Sequence, residues 1–446
     1  MSLAFAWLLN AVYLALLVIA SPWIVWSAIR HGKYREGFAA KFFGRAPLRV
    51  GDMPCIWLHA VSVGEVNLLA TTIIELAASE PQCEIVISTT TKTGYDLARR
   101  KYADRTVFYA PLDFSWATAA AMCRIRPSLL VLAELELWPN LIAAAKRHGA
   151  RVAIINGRLS DKSFRGYSRV RPLVANVLRQ IDLIAAQNEE TAERFRRLGA
   201  LPDAVHATGS LKYDGAQSDR TNPRTVELRR LAGLDDRHVV LLAGSTQDPE
   251  EMYALTIFQR LSAEHPNLRL IIVPRHQHRF DEVADLLNRS GVTWQRRTQL
   301  APHPNSRDLT DRRWSVLLVD AIGELNAWWG AATVGFVGGS FGARGGQNML
   351  EPAAYGVATC FGPNTWNFRD IVAQLLAADG AAVVADAHQF EAFVQRVLDD
   401  PAFGETLGAR AQRFVLSQQG ATRRTVELLC PLIGRRSEKQ AGHRAA

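Results

Sequence analysis

Between Leu3 and Ala20 almost every position is apolar, Asn10 being the exception, and no side chain is charged from Met1 to Ile29. A helix of that length spans the roughly 30 Å hydrocarbon core of a bilayer. Pro22, Trp23 and Trp26 follow, and tryptophan favours the membrane interface. Arg30, Lys33, Arg35, Lys41, Arg45 and Arg49 then stand against Glu36 alone. That excess of positive charge predicts an inner-membrane anchor whose following residues stay on the cytoplasmic side. A cleaved signal peptide ending at Val18-Ile19-Ala20 is the rival expectation, weakened because no basic residue precedes the apolar run. A helix lying in the inner leaflet is a third.

Beyond the anchor, short apolar runs alternate with amphipathic stretches. Ile56 to Ala60, Glu84 to Ser88, Leu129 to Ala133, Val152 to Ile155, Leu183 to Ala186 and Val205 to Ala207 predict buried strands. Val66 to Ala78 and Leu141 to His148 predict helices between them. A polar, proline-containing segment, Tyr213 to Arg224, interrupts the rhythm. It restarts with Val239 to Ala243, Leu268 to Val273, Val316 to Val319, Thr333 to Val337, Ala358 to Phe361 and Ala382 to Val384. The reading is an α/β protein: an anchor over 1–29, a Rossmann-like domain over 30–215, and a second over 216–446 with C-terminal helices, joined near 214–236. Ligands of such sheets bind beyond the carboxyl ends of the strands, so two facing domains would hold a cleft between them.

Composition narrows the picture only a little. The 446 residues are 48% hydrophobic, enough for cores in two or three domains. Lys and Arg outnumber Asp and Glu by 52 to 43, a net +9 that favours anionic partners without choosing among membrane, phosphorylated ligand and nucleic acid. Cys55, Cys83, Cys123, Cys360 and Cys430 are odd in number and widely spaced, which fits reduced thiols and neither a zinc site nor a disulfide framework.

The candidate chemistry sits at strand ends. Gly338 to Pro352 packs five glycines into nine residues, then Asn348 and Glu351. Such a loop lets backbone amides approach a phosphate, although it also fits a turn that needs glycine only for its dihedral angles. His59-Ala60-Val61-Ser62-Val63-Gly64-Glu65 places Glu65 at a helix N-terminus, as a proton acceptor or as a first-turn cap. Glu134 and Glu136 follow another strand, and alternation would direct both to one face; a solvated acidic pair is the other reading. Gly244 and Ser245 precede the helix signal Asp248-Pro249-Glu250-Glu251, where they would bond a phosphate or cap the helix. Arg275 ends a strand as a candidate anion ligand, or as part of a surface Arg-His pair. Lys92 and Lys212 lie in two weaker strand-end loops.

In combination, His59 to Glu65, Ser88 to Gly94, Glu134 to Asn140, Asn156 to Ser160 and Gly338 to Pro352 resemble the 3-deoxy-D-manno-octulosonic acid (Kdo) transferases over nearly the whole chain. The resemblance implies a GT-B inverting glycosyltransferase. Its donor would be CMP-Kdo, and its acceptor the 6′-hydroxyl of the tetraacylated lipid A precursor at the inner leaflet. It assigns Glu65 as catalytic base and Glu134 as a second required carboxylate. Gly244, Ser245, Arg275, Asn348 and Glu351 would hold the CMP moiety, with Lys212 nearby. No metal is implied, in keeping with the absence of any Asp-x-Asp in the sequence. No nucleic-acid partner is implied either. The chain departs from the family pattern in reading Ala-Glu-Leu-Glu at 133–136 and in the polar, basic stretch Arg296 to Arg313. A GT-B enzyme using a UDP-sugar and a non-enzymatic polyanion-binding scaffold are the alternatives.

Overall fold

The computed structural model describes residues 3–31, 36–300 and 314–434. Lys33, Arg35, most of the Arg296 to Arg313 stretch and the basic tail after Gly434 lie outside the described residues. The chain divides into two compact units, residues 1–215 with 418–446, and residues 216–417.

The first unit is built on a seven-stranded, wholly parallel sheet of β1 (Cys55–His59), β2 (Glu84–Thr89), β3 (Thr106–Tyr109), β4 (Leu129–Ala133), β5 (Arg151–Gly157), β6 (Leu183–Ala186) and β7 (Val205–Ala207). Their order is β3-β2-β1-β4-β5-β6-β7. Alternation within β1 explains why the strand is apolar throughout. Cys55 and Trp57 enter the core on one face, Ile56 and Leu58 that on the other, so both faces are covered. The helices that follow β1, β2 and β6 open on side-chain caps: Ser62 to Glu65 N, Thr91 to Gly94 N and Asn188 to Thr191 N.

The second unit repeats the plan with β8 (Val239–Thr246), β9 (Leu268–Pro274), β10 (Trp294–Arg296), β11 (Val316–Leu318), β12 (Val334–Val337), β13 (Ala358–Phe361) and β14 (Ala382–Val383), ordered β10-β11-β9-β8-β12-β13-β14. In each sheet the order reverses once next to its central strands, at β1/β4 and at β8/β12. Crevices at such switch points are where ligands bind.

Three features depart from the sequence reading. Strands β3 and β10 are additional, the latter a polar edge strand with half-buried side chains. The helix Ala421–Leu429 belongs to the first unit, not to the second domain. Asp214 accepts from Gly420 N at 2.6 Å and from Thr422 N, while Ala421, Val426 and Leu429 enter the core beneath β1.

The third concerns the anchor. The helix Leu3–His31 continues through Pro22, and its span from Phe5 is long and apolar enough to cross a membrane, with mean hydropathy 2.1. It is not a free tether. Asn10, only 1% exposed, donates to Ser115 Oγ at 2.7 Å and accepts from Ser115 N at 3.0 Å. Tyr13 donates to Asp113 Oδ2 at 3.1 Å. The exceptional polar residue of the apolar run, with Tyr13, therefore docks the helix onto the first unit.

Candidate active site

At the switch point of the first sheet, the loop after β1 folds into a reciprocal cap. Glu65 N donates to Ser62 Oγ at 3.5 Å, Ser62 Oγ donates to Glu65 Oε1 at 2.9 Å, and Val61 N donates to Oε2 at 2.7 Å. Both readings of Glu65 are thus compatible in one residue: it caps the helix Val63–Ser79 and presents a fixed carboxylate. At 8% exposure, burial raises its pKa above the ordinary glutamate value despite those hydrogen bonds.

The neighbouring loop, after β4, brings two more carboxylates. Alternation does not carry them to one face, because β4 ends at Ala133 and Glu134 adopts a left-handed backbone, φ 58°. Such a conformation is costly for a residue with a Cβ and is concentrated at functional sites. Glu134 N still donates to Ile155 O at 2.9 Å, so the turn is pinned to β5. Glu136 accepts from Trp138 Nε1 at 2.7 Å. Burial first, then the negative charges of Glu65 and Glu134, push its pKa up to about 7. Those couplings identify the three carboxylates as one electrostatic cluster.

Lys212 Nζ lies 3.8 Å from Glu134 Oε1. That places Lys212 beside the carboxylates of the first unit. Beneath the cluster, His59 is 1% exposed and shares the Ser88 hydroxyl, at 2.9 Å from Nδ1, with Trp57 Nε1 at 2.7 Å. Burial depresses its pKa from 6.5 to about 4, so the imidazole is neutral at physiological pH. Asn156, wholly buried and also left-handed at φ 52°, accepts from Leu211 N at 3.0 Å and thereby holds the loop that carries Lys212.

The second switch point differs in sign. The glycine loop after β12 does not leave its first amides open for a phosphate. Gly339 N donates to Glu250 Oε2 at 2.7 Å, and Ser340 N and Phe341 N donate to Oε1 at 2.9 and 3.1 Å. Gln247 N adds a fourth bond at 2.9 Å. The anion in this nest is the protein's own, at 1% exposure. Gly338 must lack a side chain because a Cβ there would lie 2.7 Å from the Glu250 carboxylate and 2.6 Å from Thr246 Cα. Gly244 is glycine for a related reason: its Cβ would meet Trp329 at 2.4 Å. Ser245 forms a bulge between β8 and β9 with φ 55°.

Beside these loops lies a cavity of about 550 Å³, lined by Gln247, Asp248, His276, His278, Arg279, Gly339, Gly342 and Arg344 among others. Its character is cationic. Burial, then the positive charges of Arg275, His278, Arg344 and Arg279, hold the pKa of His276 below the ordinary histidine value. Arg279 is neutralised by Glu251 at 3.2 Å and Glu282 at 2.7 Å. Arg275 and Arg344 are exposed and form no ion pair among the described residues. Asn348 Nδ2 donates to Glu351 Oε1 at 3.0 Å, and Arg275 is near enough that its charge acts on Glu351. Burial nevertheless leaves the Glu351 pKa raised. Of the five nucleotide candidates, the fold therefore brings Arg275, Asn348 and Glu351 into mutual reach at one strand-end cluster. Gly244 and Ser245 shape the backbone at the end of β8. Sequence reasoning missed Glu250, Arg344 and the histidine pair as parts of this site. The signal for Glu250 was its first-turn position after Asp-Pro.

A family model described as 3-deoxy-D-manno-octulosonic-acid transferase (kdotransferase) matches residues 32–215. The chain is 32% identical over 433 residues to a 3-deoxy-D-manno-octulosonic acid transferase of Haemophilus influenzae, covering 95% of this chain and 98% of the relative. It is equally identical, 32% over 425 residues, to one of Bordetella pertussis, covering 92% and 96%. In fold it is similar to a UDP-GlcNAc 2-epimerase of Neisseria meningitidis, with TM-score 0.56 at 12% identity over 85% of this chain and 100% of that one. That likeness shows two Rossmann-like domains of the GT-B class and nothing of the ligand. The alternative of a non-enzymatic scaffold is overturned by the transferase relatives. The chain belongs to the 3-deoxy-D-manno-octulosonic acid transferase family and is a glycosyltransferase of lipopolysaccharide synthesis.

Proposed function

We propose that the enzyme transfers Kdo from CMP-Kdo to the 6′-hydroxyl of the tetraacylated lipid A precursor, by single displacement with inversion, at the cytoplasmic face of the inner membrane. The observation that carries this reading is the carboxylate cluster at the first switch point, in which Val61 and Ser62 fix Glu65. Glu65 takes the proton of the acceptor hydroxyl as its oxygen bonds to the anomeric carbon. The bond from that carbon to the CMP phosphate breaks, and CMP leaves with the electron pair. Glu134, held by its turn and by Lys212, positions the acceptor. Arg275, with Asn348 and Glu351 beside it, binds CMP, and Arg344 adds positive charge near the departing phosphate. Positive charge can stabilise a monophosphate leaving group, so the reading requires no divalent cation. The apolar helix and the basic excess of the sequence suit an enzyme held at an anionic leaflet, where each juxtamembrane cation adds on the order of 1 kcal/mol.

The test is transfer by the detergent-solubilised full chain from CMP-Kdo, generated in situ, to the tetraacylated precursor, with products weighed by mass spectrometry. An acceptor heavier by whole Kdo units, undiminished by EDTA, is expected. Competition by UDP in preference to CMP would overturn the donor assignment, and loss of product when the chelator is added after CMP-Kdo has formed would overturn the metal-free reading.

A further inference from the structure

Between the docked N-terminal helix and the loop that carries Glu136 lies a second cavity, of about 440 Å³, within the first unit. That volume is within the roughly 300–1,000 Å³ typical of small-ligand sites. One wall is Leu16 and Leu17 of the helix; the other is Leu135, Leu137 and Tyr167, with Phe114 between. Most of the polar groups that border it are engaged within the protein, the Tyr167 hydroxyl being the exception among the described residues. Asp113 accepts from Tyr13 Oη, from Asn140 N at 3.1 Å and from Leu141 N at 2.8 Å, and Glu136 accepts from Trp138 Nε1. What the cavity offers an occupant is therefore mainly apolar contact.

Resting on the function proposed above, we propose that this cavity seats one acyl chain of the acceptor, so that the N-terminal helix is a wall of the acceptor site as well as an anchor. The two walls argue for that occupant. One belongs to a helix long and apolar enough to lie in hydrocarbon, the other to the loop whose Glu134 and Glu136 form the carboxylate cluster. A molecule that fills the cavity and also reaches the carboxylates has an apolar chain and a hydroxyl-bearing head. The bonds from Asn10 to Ser115 and from Tyr13 to Asp113 keep the wall in register with the loop, which a mere tether would not need. Seating a chain here fixes the hydroxyl relative to Glu65 through the protein, without reliance on the depth of the head group in the membrane.

The experiment uses the full chain in detergent micelles with an acceptor carrying a diazirine at the end of one acyl chain. After irradiation, labelled peptides are mapped by mass spectrometry. Labelling is expected at Leu17, Leu112 and Tyr167, competed by unlabelled acceptor and not by excess phospholipid. Labelling spread over the outward positions Trp7, Val18 and Ile19, and competed by phospholipid, would overturn the seat. In parallel, Leu17→Trp should raise the KM for the tetraacylated acceptor about tenfold, as expected from losing two or more buried methylenes, with kcat and the KM for CMP-Kdo unchanged. An unchanged acceptor KM would also overturn it. Confined labelling by a protein that transfers no Kdo would remove the donor reading and keep the seat; normal transfer with scattered labelling would remove the seat alone.

Discussion

The two switch points are built alike and charged oppositely. Each sets a glutamate in the first turn of the helix after its first central strand, Glu65 after β1 and Glu250 after β8. Among the described residues Glu65 bonds its own loop, to Val61 and Ser62, and stays in electrostatic contact with Glu134 and Glu136. Glu250 reaches 89 to 91 residues along the chain to three amides of the loop after β12. The first carboxylate is fixed within its own loop beside two others; the second is consumed in tying two loops together. Its burial on the glycine loop leaves the second site's unpaired charge to arginine, which suits a phosphate, whereas the first site keeps negative charge that suits a hydroxyl about to lose its proton.

The comparison can be broken by exchanging the roles. Glu65→Ala should lower turnover on the order of 10²–10⁴-fold, costing the fold only about 1 kcal/mol of capping, with CMP binding retained. Full turnover in that variant would remove Glu65 from the chemistry. Glu250→Ala should do the reverse: unpairing four amides, two of them fully buried, is expected to destabilise the second unit by about 3 kcal/mol or more, read in denaturant melts, with CMP binding lost alongside. Equal stability would return those amides to the ligand.

A third test uses the strand-end histidine His59. His59 is depressed to about 4 by burial, so the unfolded chain takes up a proton that the folded one refuses. Its contribution is fully present above pH 6.5 and lost as pH falls towards 4. Relative to His59→Gln, the unmodified protein should lose up to about 3 kcal/mol across that window. A difference that does not vary with pH would show that His59 is hydrated. The smallest expected effect is at Arg275, where Arg275→Ala should weaken CMP binding about tenfold, or about 1.5 kcal/mol, at unchanged thermal stability.

Most strands were legible because a parallel sheet covered on both faces is apolar at successive positions, as in Leu129–Ala133. β10 was not, since Trp294, Gln295 and Arg296 are only half-buried and carry no such signature. The alternation argument for Glu134 and Glu136 failed where the strand did, at the left-handed Glu134. Glu250 was read correctly as a helix start. Its partners could not be read, because they become neighbours only once β8 and β12 pair. Asn10 was visible as an exception in an apolar run, but the partner that explains it, Ser115, is 105 residues away. Local chemistry was thus readable from local sequence, and the missing parts were contacts set by topology.

The return of the helix Ala421–Leu429 to the first unit has a consequence for synthesis. Residues 216–417 form a self-contained insertion, but the earlier-made unit lacks a piece of its core until Val426 and Leu429 have left the ribosome. Vectorial folding is therefore out of step with chain order: the later-made domain can close first, while the nascent first unit waits with an open flank for its last helix.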